Sequence, residues 1–106
     1  MILLTFAHRA EAKSFLNYFS NLKAHPSINN LFLCDKLNLA ILITGEGFFD
    51  SGIVVSSCIA KLANISRVIN IGVAGALDQD FKIGEIYIGN ISYFSKNAES
   101  KKMEFK

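Results

Sequence analysis

The stretch Ile2-Leu3-Leu4-Thr5-Phe6, which runs straight into Ala7-His8-Arg9-Ala10-Glu11, decides the fold class. A short apolar run that stops where charge begins is the pattern of a strand covered on both faces. From Ala12 onward Phe15, Leu16, Phe19 and Leu22 recur at helical spacing, with Lys13, Asn17, Ser20 and Asn21 on the other side. The strand therefore leads into an amphipathic helix that ends before Pro26.

Working outward, Leu31-Phe32-Leu33-Cys34 and Leu39-Ala40-Ile41-Leu42-Ile43 flank the turn-prone Asp35-Lys36-Leu37-Asn38 and read as a hairpin. Thr44 to Gly52 forms a loop, in which Asp50 or Ser51 can cap a helix whose inner face is Val54, Val55, Cys58, Ile59 and Leu62. The β-branched run Ile53-Val54-Val55 opposes that helix, because such side chains lose rotamer freedom on it. Val68-Ile69-Asn70-Ile71 is a further buried strand, closed by Gly72-Val73-Ala74-Gly75, and Glu85-Ile86-Tyr87-Ile88 alternates like another. The predicted order is β-α-β-β-α-β-β, an α/β sheet with helices on its faces.

With 106 residues the chain fits one domain, and 51% hydrophobic against 19% charged residues is enough apolar surface to bury a core. We place that domain at residues 1–94 and read residues 95–106, rich in Lys and Glu, as a frayed tail. The formal net charge of +2 is interspersed and shows no basic stripe, so neither a nucleic-acid partner nor a membrane partner is expected. Cys34 and Cys58 lack the paired spacing of a redox or zinc motif and read as buried thiols of a cytoplasmic protein. The opening lacks the basic segment of a signal peptide, and no apolar run approaches the roughly 20 residues that span a bilayer.

Glu11 stands in the turn after the first strand, on the rim where open α/β sheets bind ligands. One helical step before Phe15, it leans toward the packed side. It can act there as a general base toward a bound water, or simply complement the positive end of its helix. Gly45-Glu46-Gly47 and Gly72-Val73-Ala74-Gly75 each follow a strand, where small residues admit a ligand close to the backbone or make an ordinary tight turn. Neither loop is a nucleotide motif: Ile53 and Val54 follow Gly52 where a P-loop needs Lys and Ser or Thr, and Glu46 and Asp50 repel phosphate. His8 shares the rim without an assigned partner, His25 reads as surface, and no nucleophile–base–acid set can be assembled. No metal-ligand spacing and no cofactor motif is present, so none is expected.

Four pieces together resemble the nucleoside phosphorylase superfamily: the apolar strand leading into Ala7-His8-Arg9-Ala10-Glu11-Ala12; Ile43-Thr44-Gly45-Glu46-Gly47; Ile69-Asn70-Ile71-Gly72-Val73-Ala74-Gly75-Ala76-Leu77; and Lys82-Ile83-Gly84-Glu85-Ile86. Within it the sequence looks most like the methylthioadenosine/S-adenosylhomocysteine nucleosidases and futalosine hydrolase. The Asn-x-Gly-x-Ala-Gly segment followed by Gly-Glu-Ile is the most specific part. The resemblance implies the N-terminal half of a three-layer α/β/α sandwich acting on purine-type nucleosides through an oxocarbenium-like transition state. It places Glu11 on the carboxylate that activates the attacking water. It places Ala7 and His8 at the reaction face, and Gly72, Val73, Ala74 and Gly75 along the base and ribose.

Val73 stands where the adenine-directed enzymes usually carry Ser, which leaves the substrate base open. The family's general acid and its ribose-gripping glutamate match no residue here, so the chain alone is expected to be inactive or weak. A homodimer, or association with a separate C-terminal half, is the partner expectation. Hydrolysis is favoured over phosphorolysis because Arg9 is one residue out of register with a phosphate-binding arginine. A non-catalytic remnant that only binds ligand is the third reading.

Overall fold

A computed structural model of the chain describes residues 1–96 and 99–104. Contacts divide the chain into two units, residues 1–74 and 75–106, so the expected boundary at residues 94 and 95 falls inside a strand of the second unit. The first unit contains β1 (Ile2–Phe6), α1 (Arg9–Tyr18), β2 (Lys23–Ala24), β3 (Leu31–Cys34), β4 (Leu39–Ile43), α2 (Phe48–Lys61) and β5 (Arg67–Asn70). It is an α/β domain built on a mixed sheet in the order β2-β3-β4-β1-β5.

The opening strand is the centre of that sheet. β1 pairs in parallel with β4 on one side, Ile2 opposite Leu39, and with β5 on the other, Thr5 opposite Asn70. Two-sided pairing explains why Leu3, Leu4, Thr5 and Phe6 are all buried. Side chains alternate across the sheet, so each face has its own core. Leu3, Leu31, Ala40 and Leu42 pack with Cys58, Val54, Val55 and Leu62 from α2 and its end. Leu4, Phe6 and Ile41 pack with Ala12, Phe15 and Leu16 from α1, the Phe6 and Phe15 rings lying 5.1 Å apart. The helices thus cover opposite faces.

β3 and β4 form the expected antiparallel hairpin, closed by a 3-10 turn at Asp35–Leu37 and by Asn38 at φ 53°, a left-handed conformation that Asn tolerates. α1 begins at Arg9 rather than Ala12 and ends at Tyr18; Phe19 and Leu22 lie beyond it but still pack on its core. α2 begins at Phe48, with Gly47 at φ 96° turning the chain into it, so neither Asp50 nor Ser51 is its cap. The Ser51 hydroxyl instead donates back to the Gly47 carbonyl at 2.6 Å. Ile59, expected on the inner face, is 42% exposed. The run Ile53-Val54-Val55 is helical all the same, because burial of Val54 and Val55 against the sheet outweighs a few tenths of a kcal/mol of propensity, roughly 0.5 per residue.

The second unit corrects the last expected strand. Glu85 to Ile88 has no sheet partner among the described residues, and Ile86 and Ile88 are each 94% exposed. Alternation alone cannot make a strand, since the backbone groups need a ladder. Gly84 at φ 87° turns the chain just before it, and the Tyr87 hydroxyl donates to Glu85 Oε2 at 2.7 Å while accepting from the Lys82 N–H at 3.1 Å. The strands come later, as an antiparallel hairpin of β6 (Ile91–Lys96) and β7 (Glu99–Glu104). Most of the segment expected to fray thus has paired backbone; residues 97–98 and 105–106 of it lie outside the described residues.

Candidate functional site

Because β4, β1 and β5 run parallel, their carboxyl ends share one edge of the sheet. The connection after β1 enters α1 on one face, and that after β4 enters α2 on the other. Neighbouring strands whose connections depart to opposite faces open a crevice between them, the usual ligand position in such sheets. Here the crevice lies between β1 and β4. At its floor the Thr44 N–H donates to the Phe6 carbonyl at 2.8 Å and the Gly45 N–H to the Ala7 carbonyl at 3.0 Å. Across its mouth His8 Nε2 and Glu46 Oε1 are hydrogen-bonded, which supplies the partner that spacing could not assign to His8. Both side chains are largely in solvent, at 50% and 75% exposure.

Glu11 occupies the first turn of α1 and is half-buried. Its carboxylate points to the loop after β5: a β-carbon built on Gly72 would meet Glu11 Oε2 at 3.2 Å. A side chain there would push that carboxylate aside by a few tenths of an ångström. Two of the expected site pieces, the turn after β1 and the glycine segment after β5, are therefore brought together. Ala7 is half-buried beside them, while Gly72, Val73 and Ala74 are exposed, Val73 to 90%. Gly75 belongs to the second unit.

On the α2 side of the same edge lies an open hollow of about 380 Å³, lined by Thr5, Thr44, Phe48, Ser51 and Asn70 among others. Glu11 does not line it. None of these five stood out in the sequence as a site residue. For three of them the signal was a polar residue at a strand's carboxyl end: Thr5 near the end of β1, Thr44 after β4, and Asn70 at the end of β5, a strand expected to be buried whose Val68 and Ile69 are instead 42% and 39% exposed. The Thr5 hydroxyl donates to Asn70 Oδ1 at 3.0 Å, tying β1 to β5 at this rim. A smaller hollow of about 190 Å³, beside Tyr18, Cys34 and Lys36, sits by the β3–β4 turn, away from these strand ends.

No family model matches this chain, and no curated protein or solved structure matches it either. What can be said of its chemistry rests on its own residues. Among the described residues no group of three His, Cys, Asp or Glu side chains could hold a metal ion, and no helix is long and apolar enough to cross a membrane. Cys34 and Cys58 are free and buried. Burial pushes the Cys58 thiol above its usual pKa, against a smaller opposing pull from Lys61.

Proposed function

We propose that this chain is a purine-nucleoside-type N-ribosyl hydrolase, a cytoplasmic relative of the nucleosidases, with Glu11 activating the attacking water. In this reading its sheet and two helices are the N-terminal half of a three-layer α/β/α sandwich of the nucleoside phosphorylase kind. The segment Gly72 to Ala74 supports base and ribose, with Val73 in van der Waals contact where related enzymes hydrogen-bond, and Ala7 and His8 border the reacting bond.

The observation that carries the proposal is the approach of Glu11 Oε2 to Gly72, 3.2 Å from a β-carbon position there. A carboxylate held against glycine backbone at the ligand edge of a parallel sheet can hold a water against a ligand lying on that backbone. Hydrolysis is favoured over phosphorolysis because the Arg9 guanidinium, the one candidate phosphate ligand, lies over the Phe32 ring, 5.3 Å from its centroid. No residue is assigned to protonating the leaving base, an assistance commonly worth about 100- to 10,000-fold, so slow turnover accompanies binding in this proposal.

The outer face of α2, where Phe49 and Ile53 are 78% and 65% exposed, supports a homodimer as part of the same reading. The test is a heteronuclear NMR titration with adenosine and methylthioadenosine, together with chromatographic detection of released base. Saturable shifts at Glu11 and Gly72, and base release abolished by Glu11→Gln, are expected. Binding with no release, unaffected by that substitution, would mark a non-catalytic ligand-binding fragment. Silence at both residues at millimolar nucleoside rejects the site.

A further inference from the structure

The hollow on the α2 side of the rim has a one-sided hydrogen-bonding character. The Thr5 hydroxyl, on a residue only 3% exposed, donates to Asn70 Oδ1 at 3.0 Å. The Thr44 hydroxyl, on a residue 8% exposed, donates to the Gly45 carbonyl at 2.9 Å, and that of Ser51 to the Gly47 carbonyl at 2.6 Å. Each hydroxyl proton is used inside the protein, so these oxygens offer a ligand lone pairs only. Thr5 also fixes the Asn70 carboxamide with its oxygen inward, which leaves Nδ2 as the side-chain donor of the hollow.

The charge around it selects further. The residues that line the hollow are neutral; along the chain from them stand Asp50 in the first turn of α2, Arg9, Arg67, and Glu46, which is paired with His8. Asp50 answers the positive helix end that would otherwise attract an anion. A ligand hydroxyl can donate to a Thr or Ser oxygen and accept from Asn70, whereas a phosphate or carboxylate can only accept. The Phe48 ring adds an apolar wall for the C–H face of a saturated ring. The hollow, about 380 Å³, is broadly open to solvent, so a ring seated in it keeps one face in water.

We infer that this hollow binds a neutral, hydroxyl-rich ring, a sugar rather than its phosphate ester, with Asn70 as the specificity-determining donor. Asn70 precedes Gly72 by two residues, at most about 7 Å of chain, so a sugar seated here lies close to the Glu11 side of the rim. That the sugar is the ribose of a nucleoside rests on the proposed function; the hollow's preference for a polyol does not.

The experiment titrates the full chain with methyl β-D-ribofuranoside, which carries no base, and with ribose 5-phosphate, read by heteronuclear NMR. The riboside is expected to give saturable shifts at the Asn70 side-chain amide and at the Thr44 and Ser51 N–H groups, with the phosphate ester binding more weakly. Asn70→Asp, which replaces the donor by a charged acceptor, is expected to weaken the riboside roughly tenfold or more, and Ser51→Ala about threefold. Absent shifts, a tighter phosphate ester, or an unchanged affinity of Asn70→Asp overturns the inference, and Ser51→Ala decides if the aspartate variant unfolds. Riboside binding at Asn70 with no nucleoside response at Glu11 would sustain the hollow and reject the nucleosidase reading; nucleoside shifts at Glu11 with a silent hollow would do the reverse.

Discussion

The Glu11 carboxylate crowds the space beside Gly72, its Oε2 standing 3.2 Å from the β-carbon position there. Gly72 does not use a left-handed backbone, so Ala fits its conformation, and such a change commonly stabilises by about 0.4–1 kcal/mol through the unfolded chain. The contact is with the far end of a flexible side chain, which can swing aside. Gly72→Ala is therefore expected to leave the unfolding free energy from urea denaturation within about 1 kcal/mol of the parent while removing nucleoside-dependent shifts at Glu11. A loss of stability with binding intact would show that the glycine serves the backbone and not the carboxylate.

The His8–Glu46 bond spans the mouth of the β1–β4 crevice, but both groups are well solvated. Exposed pairs of this kind contribute roughly 0–1 kcal/mol and weaken with salt. Glu46→Gln is accordingly expected to change thermal stability by no more than about 1 kcal/mol, with the difference shrinking further in 1 M salt. A larger cost that persists at high salt would mean that the pair is screened from water.

How much of this was legible beforehand follows from what local sequence encodes. The β1 run, the hairpin and both helices are written in short-range periodicity, and position after β1 alone puts Glu11 on the rim. Its contact with Gly72, and the Thr5–Asn70 bond, depend on β5 docking beside β1, which no spacing within either segment specifies. Ser51 and Asp50 are good helix caps in isolation, but Gly47, with its positive φ, makes the turn into α2. Glu85–Ile88 alternates well, but alternation describes two faces and says nothing about whether a neighbouring strand exists.

The weight carried by the two cores can be separated from that of the rim. Phe6 is fully buried, at the end of the central strand and against Phe15. Phe6→Ala removes a ring from a core that cannot fully collapse around the void, at a cost of about 3–5 kcal/mol. Against the 5–15 kcal/mol typical of a whole domain, that is expected to leave a substantial unfolded fraction by circular dichroism at 37 °C. Val73→Ala, at 90% exposure, is expected to be neutral in the same melt. Equal effects of the two would place the core elsewhere.

Cys58 ties stability to pH in a definite direction. Desolvation under the sheet raises its folded-state pKa, with Lys61 pulling weakly the other way. The unfolded thiol ionises from about pH 8.5. Between that value and the folded one the unfolded chain has lost a proton that the folded chain keeps, so each further unit of pH favours unfolding. The stabilisation is complete below about pH 8.5 and is lost as the pH rises through the folded-state pKa. Cys58→Ala lacks the linkage; its stability deficit relative to the parent, measured by urea denaturation, is expected to narrow between pH 7.5 and 10. The same burial keeps the thiolate scarce, so iodoacetamide should label Cys58 at a rate set by unfolding. Prompt labelling of the folded protein at pH 8, or a deficit constant across that pH range, would show a thiol open to water and would remove α2 from its place against Leu3 and Leu42.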